Sequence, residues 1–203
     1  MTAVSEQVLI EAARGGQVVS FPTDTVPALA VLPSRAESIF AVKQRSLDKP
    51  LILMGATEAD LWPFVTSTPR ELEIWQGVAN RHWPGALTLV LPASAAVPSG
   101  MNPVDPSTIG IRVPNQAIAC RILAQTGPLA TTSANLSGEP PLQTMTEIGL
   151  RFPQVVTLEW EQSEPNGTAS GVPSTVAKWT GQSWEILRQG VIQLDSNSED
   201  RGR

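Results

Sequence analysis

Gly127-Pro128-Leu129-Ala130 runs straight into Thr131-Thr132-Ser133-Ala134-Asn135-Leu136-Ser137-Gly138, a short apolar strand ending in hydroxyls, an amide and a glycine. A strand end of this kind can line a cleft with short donors and acceptors while the backbone turns away. An ordinary polar turn has the same composition, so the stretch gains meaning only from its surroundings. A helical pattern from about Gln116 to Thr126 precedes it, and helix-then-strand order extends in both directions.

Toward the N-terminus, a helix from about Ser5 to Arg14 closes at Gly15-Gly16, and the strand Val18–Phe21 stops at Pro22. Ser34 and Glu37 have capping-box spacing, and Ile39, Phe40 and Val42 give the following helix an apolar face. Leu51–Met54 is a buried-strand candidate. Thr68-Pro69-Arg70-Glu71 opens a helix that should end near Asn80. Strands are expected at Leu87–Leu91 and Thr108–Val113. Beyond Gly138 come a short helix near Thr146–Phe152, a strand at Val155–Leu158 and a flexible polar loop at Ser163–Pro173. Strands near Thr175–Trp179 and Trp184–Leu187 close the pattern. This irregular alternation, with hairpin-like pairs at the end, predicts an α/β fold with a mixed sheet. The expected organisation is one domain over residues 1–194 and a disordered polar tail over 195–203.

Composition narrows the chemistry. Of 203 residues, 41% are hydrophobic and 16% charged, yet no apolar run approaches the roughly 20 residues of a membrane span. With no basic-then-apolar leader either, the expected compartment is the cytoplasm, with no membrane contact. One cysteine (Cys120) and one histidine (His82) exclude a zinc site of several His and Cys ligands. Cys120 lies in an apolar helical pattern and reads as a structural thiol; His82 sits at a helix end, where capping is expected. The net charge of −5 argues against broad nucleic-acid binding but leaves room for a local basic cleft. Carboxylates are sparse in the candidate sites, Asp24 excepted, so neither a glycosidase pair nor a carboxylate-bound metal is expected. Neither a G-x-x-x-x-G-K-[ST] loop nor a G-x-G-x-x-G occurs. Any nucleotide would have to be held by side-chain cations.

Such cations exist at the ends of elements. Lys43-Gln44-Arg45-Ser46-Leu47-Asp48-Lys49-Pro50 leaves a helix carrying three of them, which could serve a phosphate or merely the helix dipole. Pro22-Thr23-Asp24-Thr25 ends a strand, where ligands of open sheets bind, or forms a simple Asx turn. Arg112 interrupts an apolar strand and needs an anionic partner, structural or bound. Gly171-Val172-Pro173-Ser174-Thr175 repeats the theme of hydroxyls on a turn, and Arg188-Gln189-Gly190 closes the last strand.

Together these segments resemble the YrdC/Sua5 family of L-threonylcarbamoyladenylate synthases, in the family's own order from about Val8 to Val191. Pro22-Thr23-Asp24-Thr25-Val26 is similar to its P-T-D-T-V-Y-G-L motif; Lys43-Gln44-Arg45 and Lys49-Pro50-Leu51 resemble its K-x-R segment and the basic-Pro-Leu that follows. Trp83-Pro84-Gly85-Ala86-Leu87-Thr88 resembles W-P-G-P-x-T, and Ile111-Arg112-Val113-Pro114 its R-x-P strand. Thr132–Gly138 matches T-S-A-N-x-S-G, while Pro173–Val176 and Leu187–Gly190 match S-T-[IV] and R-x-G. Where the family has Tyr-Gly-Leu this chain has Pro27-Ala28-Leu29, losing a phenol and a backbone donor.

The resemblance implies a YrdC-like single domain: a twisted mixed β-sheet with helices packed around it and a concave ligand cleft. It implies a nucleotidyltransferase that makes threonylcarbamoyl-AMP and pyrophosphate from ATP, bicarbonate and L-threonine, for N6-threonylcarbamoyl modification of adenosine 37 in tRNA. Magnesium would be held mainly by the triphosphate, with no protein metal site. Lys43 and Arg45 would be catalytic and, with Lys49, surround the triphosphate; Ser133 and Asn135 would bind ATP from the opposite wall and Arg188 would contact the nucleotide. Arg112 would pair with the threonine carboxylate, with Thr25, Thr131 and Ser174 also contacting threonine. Implied partners are the proteins that transfer threonylcarbamoyl to tRNA, with a possible RNA contact. The alternative is a YrdC-like nucleotide- or RNA-binding protein without synthase activity.

Overall fold

The computed structural model describes residues 3–44, 46, 49–160 and 169–194. Its elements are β1 (Ala3–Val4), α1 (Glu6–Arg14), β2 (Val19–Phe21), β3 (Ala28–Val31), α2 (Glu37–Lys43), β4 (Ile52–Met54), α3 (Pro69–His82) and β5 (Leu87–Pro92). They continue with β6 (Thr108–Arg112), α4 (Ala117–Thr126), β7 (Leu129–Ser133), α5 (Met145–Arg151), β8 (Val156–Leu158), β9 (Thr175–Trp179) and β10 (Trp184–Arg188). Among the described residues the strands form one sheet, ordered β1-β8-β2-β3-β7-β4-β6-β5-β9-β10. The pairs β1–β8, β2–β8, β4–β6 and β5–β9 are parallel and the rest antiparallel. The mixed sheet matches the expectation from irregular alternation.

Period-two patterning assigns the two faces of the right-hand half of this sheet. In β5, Leu87, Leu89 and Leu91 are fully buried, and in β9 Thr175, Ala177 and Trp179 are buried while Val176 and Lys178 are less so. Trp179 meets Trp75 of α3 edge-on, with ring centroids 6.3 Å apart, and Trp184 of β10 at 5.2 Å. The helix α3 therefore covers the face carrying the leucines and tryptophans. Its start is well fixed: Glu71 N–H donates to Thr68 Oγ1 at 3.3 Å, Thr68 N–H donates to Glu71 Oε2 at 2.9 Å, and Pro69 takes the first turn. Trp179 Nε1 also donates to Glu71 Oε1 at 3.1 Å, so one carboxylate ties the helix cap to β9. Hydrogen bonds from the Thr68 backbone and hydroxyl, and from Trp179, hold the Glu71 carboxyl below its usual pKa.

Several local expectations are corrected. Ser34 does not cap α2, because Pro33–Arg35 forms a 3₁₀ turn that absorbs it and Ala36 is the N-cap. The working capping box near the C-terminal half is Thr144 with Glu147, at the start of α5. The strands β1 and β3 have no counterpart in the sequence reading. The first has two residues; the second is an unbroken buried apolar run, without alternation, in mid-sheet. The helix α3 runs two residues past Asn80, to His82. Of the predicted loop Ser163–Pro173, residues 163–168 lie outside the described residues, as does the predicted tail, 195–203.

Candidate active site

The sheet face opposite α3 carries a cleft of about 600 Å³. Alternate residues of β6 (Thr108, Gly110, Arg112) and of β9 (Val176, Lys178) form part of its floor, with Thr131 and Ser133 of β7 toward the other end. Every predicted site residue lines this cleft except Arg45, which lies outside the described residues. Segments up to some hundred and sixty residues apart thus converge, and three polar groups dominate the walls.

The first lies where the turn after β7 meets the end of α2. Lys43, only 1% exposed, donates from Nζ to the Ser133 carbonyl and, at 3.1 Å, to Asn135 Oδ1. Ser133 Oγ donates to the same Oδ1 at 2.5 Å, and Asn135 Nδ2 donates to Leu136 O at 2.8 Å and Glu139 O at 2.7 Å. Asn135 is thus held at both ends of its amide. Lys49 Nζ reaches Ser137 Oγ at 3.4 Å, at the mouth of the same turn.

The second group surrounds Arg112, 4% exposed. Its Nε donates to Gly85 O at 2.9 Å, Nη1 to Thr25 Oγ1 at 2.9 Å and Nη2 to Asp24 Oδ1 at 2.6 Å. Asp24 is the structural carboxylate that the strand arginine requires, and it sits behind the guanidinium rather than in the cleft lining. Burial is the largest influence on Arg112 and lowers its pKa; the Asp24 charge and hydrogen bond oppose this, and nearby Arg188 adds to it. The guanidinium stays charged throughout. Residues 169–173 strap this corner: Ser170 N–H donates to Asp24 O at 3.0 Å and Gly171 N–H to Thr25 O at 2.9 Å.

The third group joins β10, β9 and β5. Arg188 donates from Nε to Ser174 O at 2.9 Å and from Nη2 to Ser174 Oγ at 3.1 Å, while Ser174 Oγ and Thr88 Oγ1 share a hydrogen bond of 2.9 Å. A β-bulge aims these side chains. Ile186 pairs with Ala177 but Arg188 with Val176, so Leu187 is an extra residue and both Leu187 and Arg188 reach the cleft. Gly190 completes the turn: a Cβ there would stand 2.5 Å from both Pro173 O and Thr175 N, so only glycine lets the backbones meet.

Pro27 and Ala28 stand against the first group. Ala28 pairs with Ser133 across the β3–β7 ladder, and Pro27 O accepts from Ala134 N–H at 3.0 Å. Thr23 and Thr88, which the sequence reading placed in candidate segments without a role of their own, also line the cleft, and Asp105 and Lys178 do so without having been singled out. Thr88 was legible in its W-P-G-A-L-T segment, and Lys178 by counting two strand steps from Ser174, whereas Asp105 lies on a loop with no such signal. Thr131 Oγ1 donates to Ile52 O at 3.0 Å, so its hydroxyl proton is committed to the sheet. Cys120 is outside the cleft: Sγ donates to Pro114 O at 3.2 Å, and burial raises its pKa, as suits a structural thiol. Among the described residues no cluster of three or more His, Cys, Asp or Glu could hold a metal ion. The cleft is therefore basic, with Lys43, Lys49, Arg112, Lys178 and Arg188 set against Asp105, in a chain of net charge −5.

A family model for Sua5, YciO and YrdC proteins, described as telomere recombination, matches residues 11–190. The chain belongs to the Sua5/YciO/YrdC family. Within it, the threonylcarbamoyl-AMP synthase of Vibrio cholerae is 32% identical over 189 residues, 91% of this chain and 96% of that one. Pyrococcus abyssi Sua5, solved in complex with L-threonine, superposes with a TM-score of 0.77 at 30% identity, covering 91% of this chain and 54% of that one. This chain thus spans about half the length of that Sua5 protein. Escherichia coli YciO superposes with a TM-score of 0.76 at 25% identity, over 92% of this chain and 91% of YciO. The family fold agrees with the ten-stranded mixed sheet of the described residues. Among those residues no helix is long and apolar enough to cross a membrane.

Proposed function

We infer that this protein is a threonylcarbamoyl-AMP synthase, making that adenylate and pyrophosphate from ATP, bicarbonate and L-threonine. The observation that carries the reading is the convergence of the Lys43–Ser133–Asn135, Arg112–Thr25 and Arg188–Ser174 groups in one cleft. Relatives named for this synthase match over nine-tenths of the chain. The chemistry suits such a cleft. The threonine amine adds to the bicarbonate carbon with loss of water, and a carbamate oxygen displaces pyrophosphate from the α-phosphorus of ATP. Both steps depend on charge neutralisation and positioning rather than on a covalent nucleophile.

In this reading Lys43 and Arg45 are catalytic, neutralising the triphosphate with Lys49, while Ser133 and Asn135 bind ATP from the facing wall and Arg188 contacts the nucleotide. Arg112 takes the threonine carboxylate, and Thr25, Thr131 and Ser174 line the amino-acid pocket. Thr131 contributes its methyl group and an oxygen lone pair, since its proton is engaged with Ile52 O. The donors present are hydroxyls, an amide and cations, so a magnesium ion would ride on the triphosphate and not on a protein cage. The product would pass, in the cytoplasm, to proteins that carry threonylcarbamoyl to adenosine 37 of tRNA. The deciding experiment incubates the protein with ATP, bicarbonate and threonine and follows threonylcarbamoyl-AMP and pyrophosphate. Arg45→Ala and Ser133→Ala should each slow pyrophosphate release by about tenfold or more. Full activity in both variants would sink the assignment; absence of product from the wild type, with tight RNA binding, would favour the binding-protein alternative.

A further inference from the structure

Gly110 stands inside a central strand, where glycine weakens a sheet by its backbone entropy and its missing side chain. It pairs with Ile52 of β4 on one side and Val90 of β5 on the other; Ile52 pairs in turn with Thr131, and Val90 with Lys178. These five residues form a row across the cleft floor. The usual reasons for a strand glycine fail here. Its φ is not in the left-handed region, and the ladders on both sides keep a regular register, so there is neither a turn nor a bulge. No backbone approaches either. The atoms nearest a Cβ at Gly110 would be side-chain carbons, Thr88 Cγ2 at 3.4 Å, Ile52 Cγ1 at 3.5 Å and Val90 Cγ2 at 3.8 Å, all at ordinary contact distances. The protein has room for a methyl group there, and the room lies in the cleft.

The surroundings specify what the space accepts. Ile52 and Val90 flank it with hydrocarbon, and Val104, 68% exposed, lines the same cleft. Charged groups stand around the gap and not in it: Arg112 two residues further along β6, where Asp24 pairs with it, Lys178 at the β9 end of the row, and Lys43 and Lys49 past β7. An uncharged strip with a flat gap suits the face of a planar heterocycle and suits a phosphate or an ammonium poorly. We propose that Gly110 is a specificity-determining residue whose missing side chain lets the nucleobase of the bound nucleotide lie flush on the sheet between Ile52 and Val90. This rests on the nucleotide-binding reading above and adds to it the position of the base.

The test is calorimetric titration of wild type, Gly110→Ala and Gly110→Ser with ATP, inorganic pyrophosphate and L-threonine, alongside thermal melts. Both variants should melt within about 4 °C of wild type, since the added atom meets no backbone. ATP should bind about tenfold more weakly to each, while pyrophosphate and threonine stay within about twofold. Unchanged ATP affinity overturns the proposal, and so does an equal loss for pyrophosphate, which would place the effect at the phosphate end. A variant that fails to fold overturns it too, because the glycine would then serve the fold. A wild-type protein that binds no ATP fails differently: it removes the nucleotide reading itself.

Discussion

Replacing Asp24 with alanine should destabilise the protein far more than its position on a loop suggests. The Asp24 carboxylate lies 2.6 Å from Arg112 Nη2, and the two side chains are 12% and 5% exposed. Removing one partner of a buried ion pair typically costs about 3–5 kcal/mol, because the remaining charge is left without compensation. Arg112 keeps Gly85 O and Thr25 Oγ1 as acceptors, and water reaches the Asp24 side, so the lower end, about 3 kcal/mol, applies. For a chain of this size that corresponds to a fall in melting temperature of about 6–12 °C. Asp24→Asn, which keeps an acceptor, should lose roughly half as much. The decisive measurement is a double-mutant cycle by thermal melting: Arg112→Met in the Asp24→Ala background should recover much of the loss, since no unpaired guanidinium remains. A cycle in which the two losses simply add would refute the reasoning.

Other outcomes follow from the same geometry. Lys43→Met should abolish most pyrophosphate release, by about a hundredfold or more, with a melting temperature close to wild type or higher, because a buried ammonium is replaced by a chain of similar length. Gly190→Ala places a methyl 2.5 Å from Pro173 O and Thr175 N; it should lower the melting temperature by about 4–8 °C and weaken ATP binding through Arg188. His82 is held below its ordinary pKa of 6.5, by burial first and by Arg81 second. The unfolded chain then binds the proton more readily, so stability should rise with pH through the window just below 6.5 and level off above it. Melts of wild type and His82→Gln between about pH 5 and about pH 8 should differ in slope only in that window.

The fold and the site were legible to different depths. The helix at Pro69 and strands such as Thr175–Trp179 could be read because cap chemistry and alternation are local signals. Ala28–Val31 could not, since a strand buried on both faces carries no period and lies between prolines and threonines that look like loop. The site followed the same division. Arg112 declared itself as a charge in an apolar strand, and the hydroxyl clusters declared themselves as turns. That Asp24 is the structural partner, standing behind the arginine and outside the cleft, depends on a pairing across 88 residues. No local rule supplies that distance. Gly110 hid for the opposite reason: within Thr108–Val113 it looks like a defect, and its sense emerges only from what surrounds it on neighbouring strands.

The extra residue at Leu187 has one more consequence. Among the described residues the strand carrying it, β10, is the last in the sheet and pairs on one side only. An open strand edge is a template on which another chain can dock, and folded proteins blunt such edges with charges and with bulges that twist the ladder. Here the irregularity that brings Arg188 over the cleft also interrupts the outer row of hydrogen-bonding groups, next to the charged Glu185 and Arg188. Straightening the strand would smooth that edge and turn the arginine away from the cleft at once, so one inserted residue serves both ends.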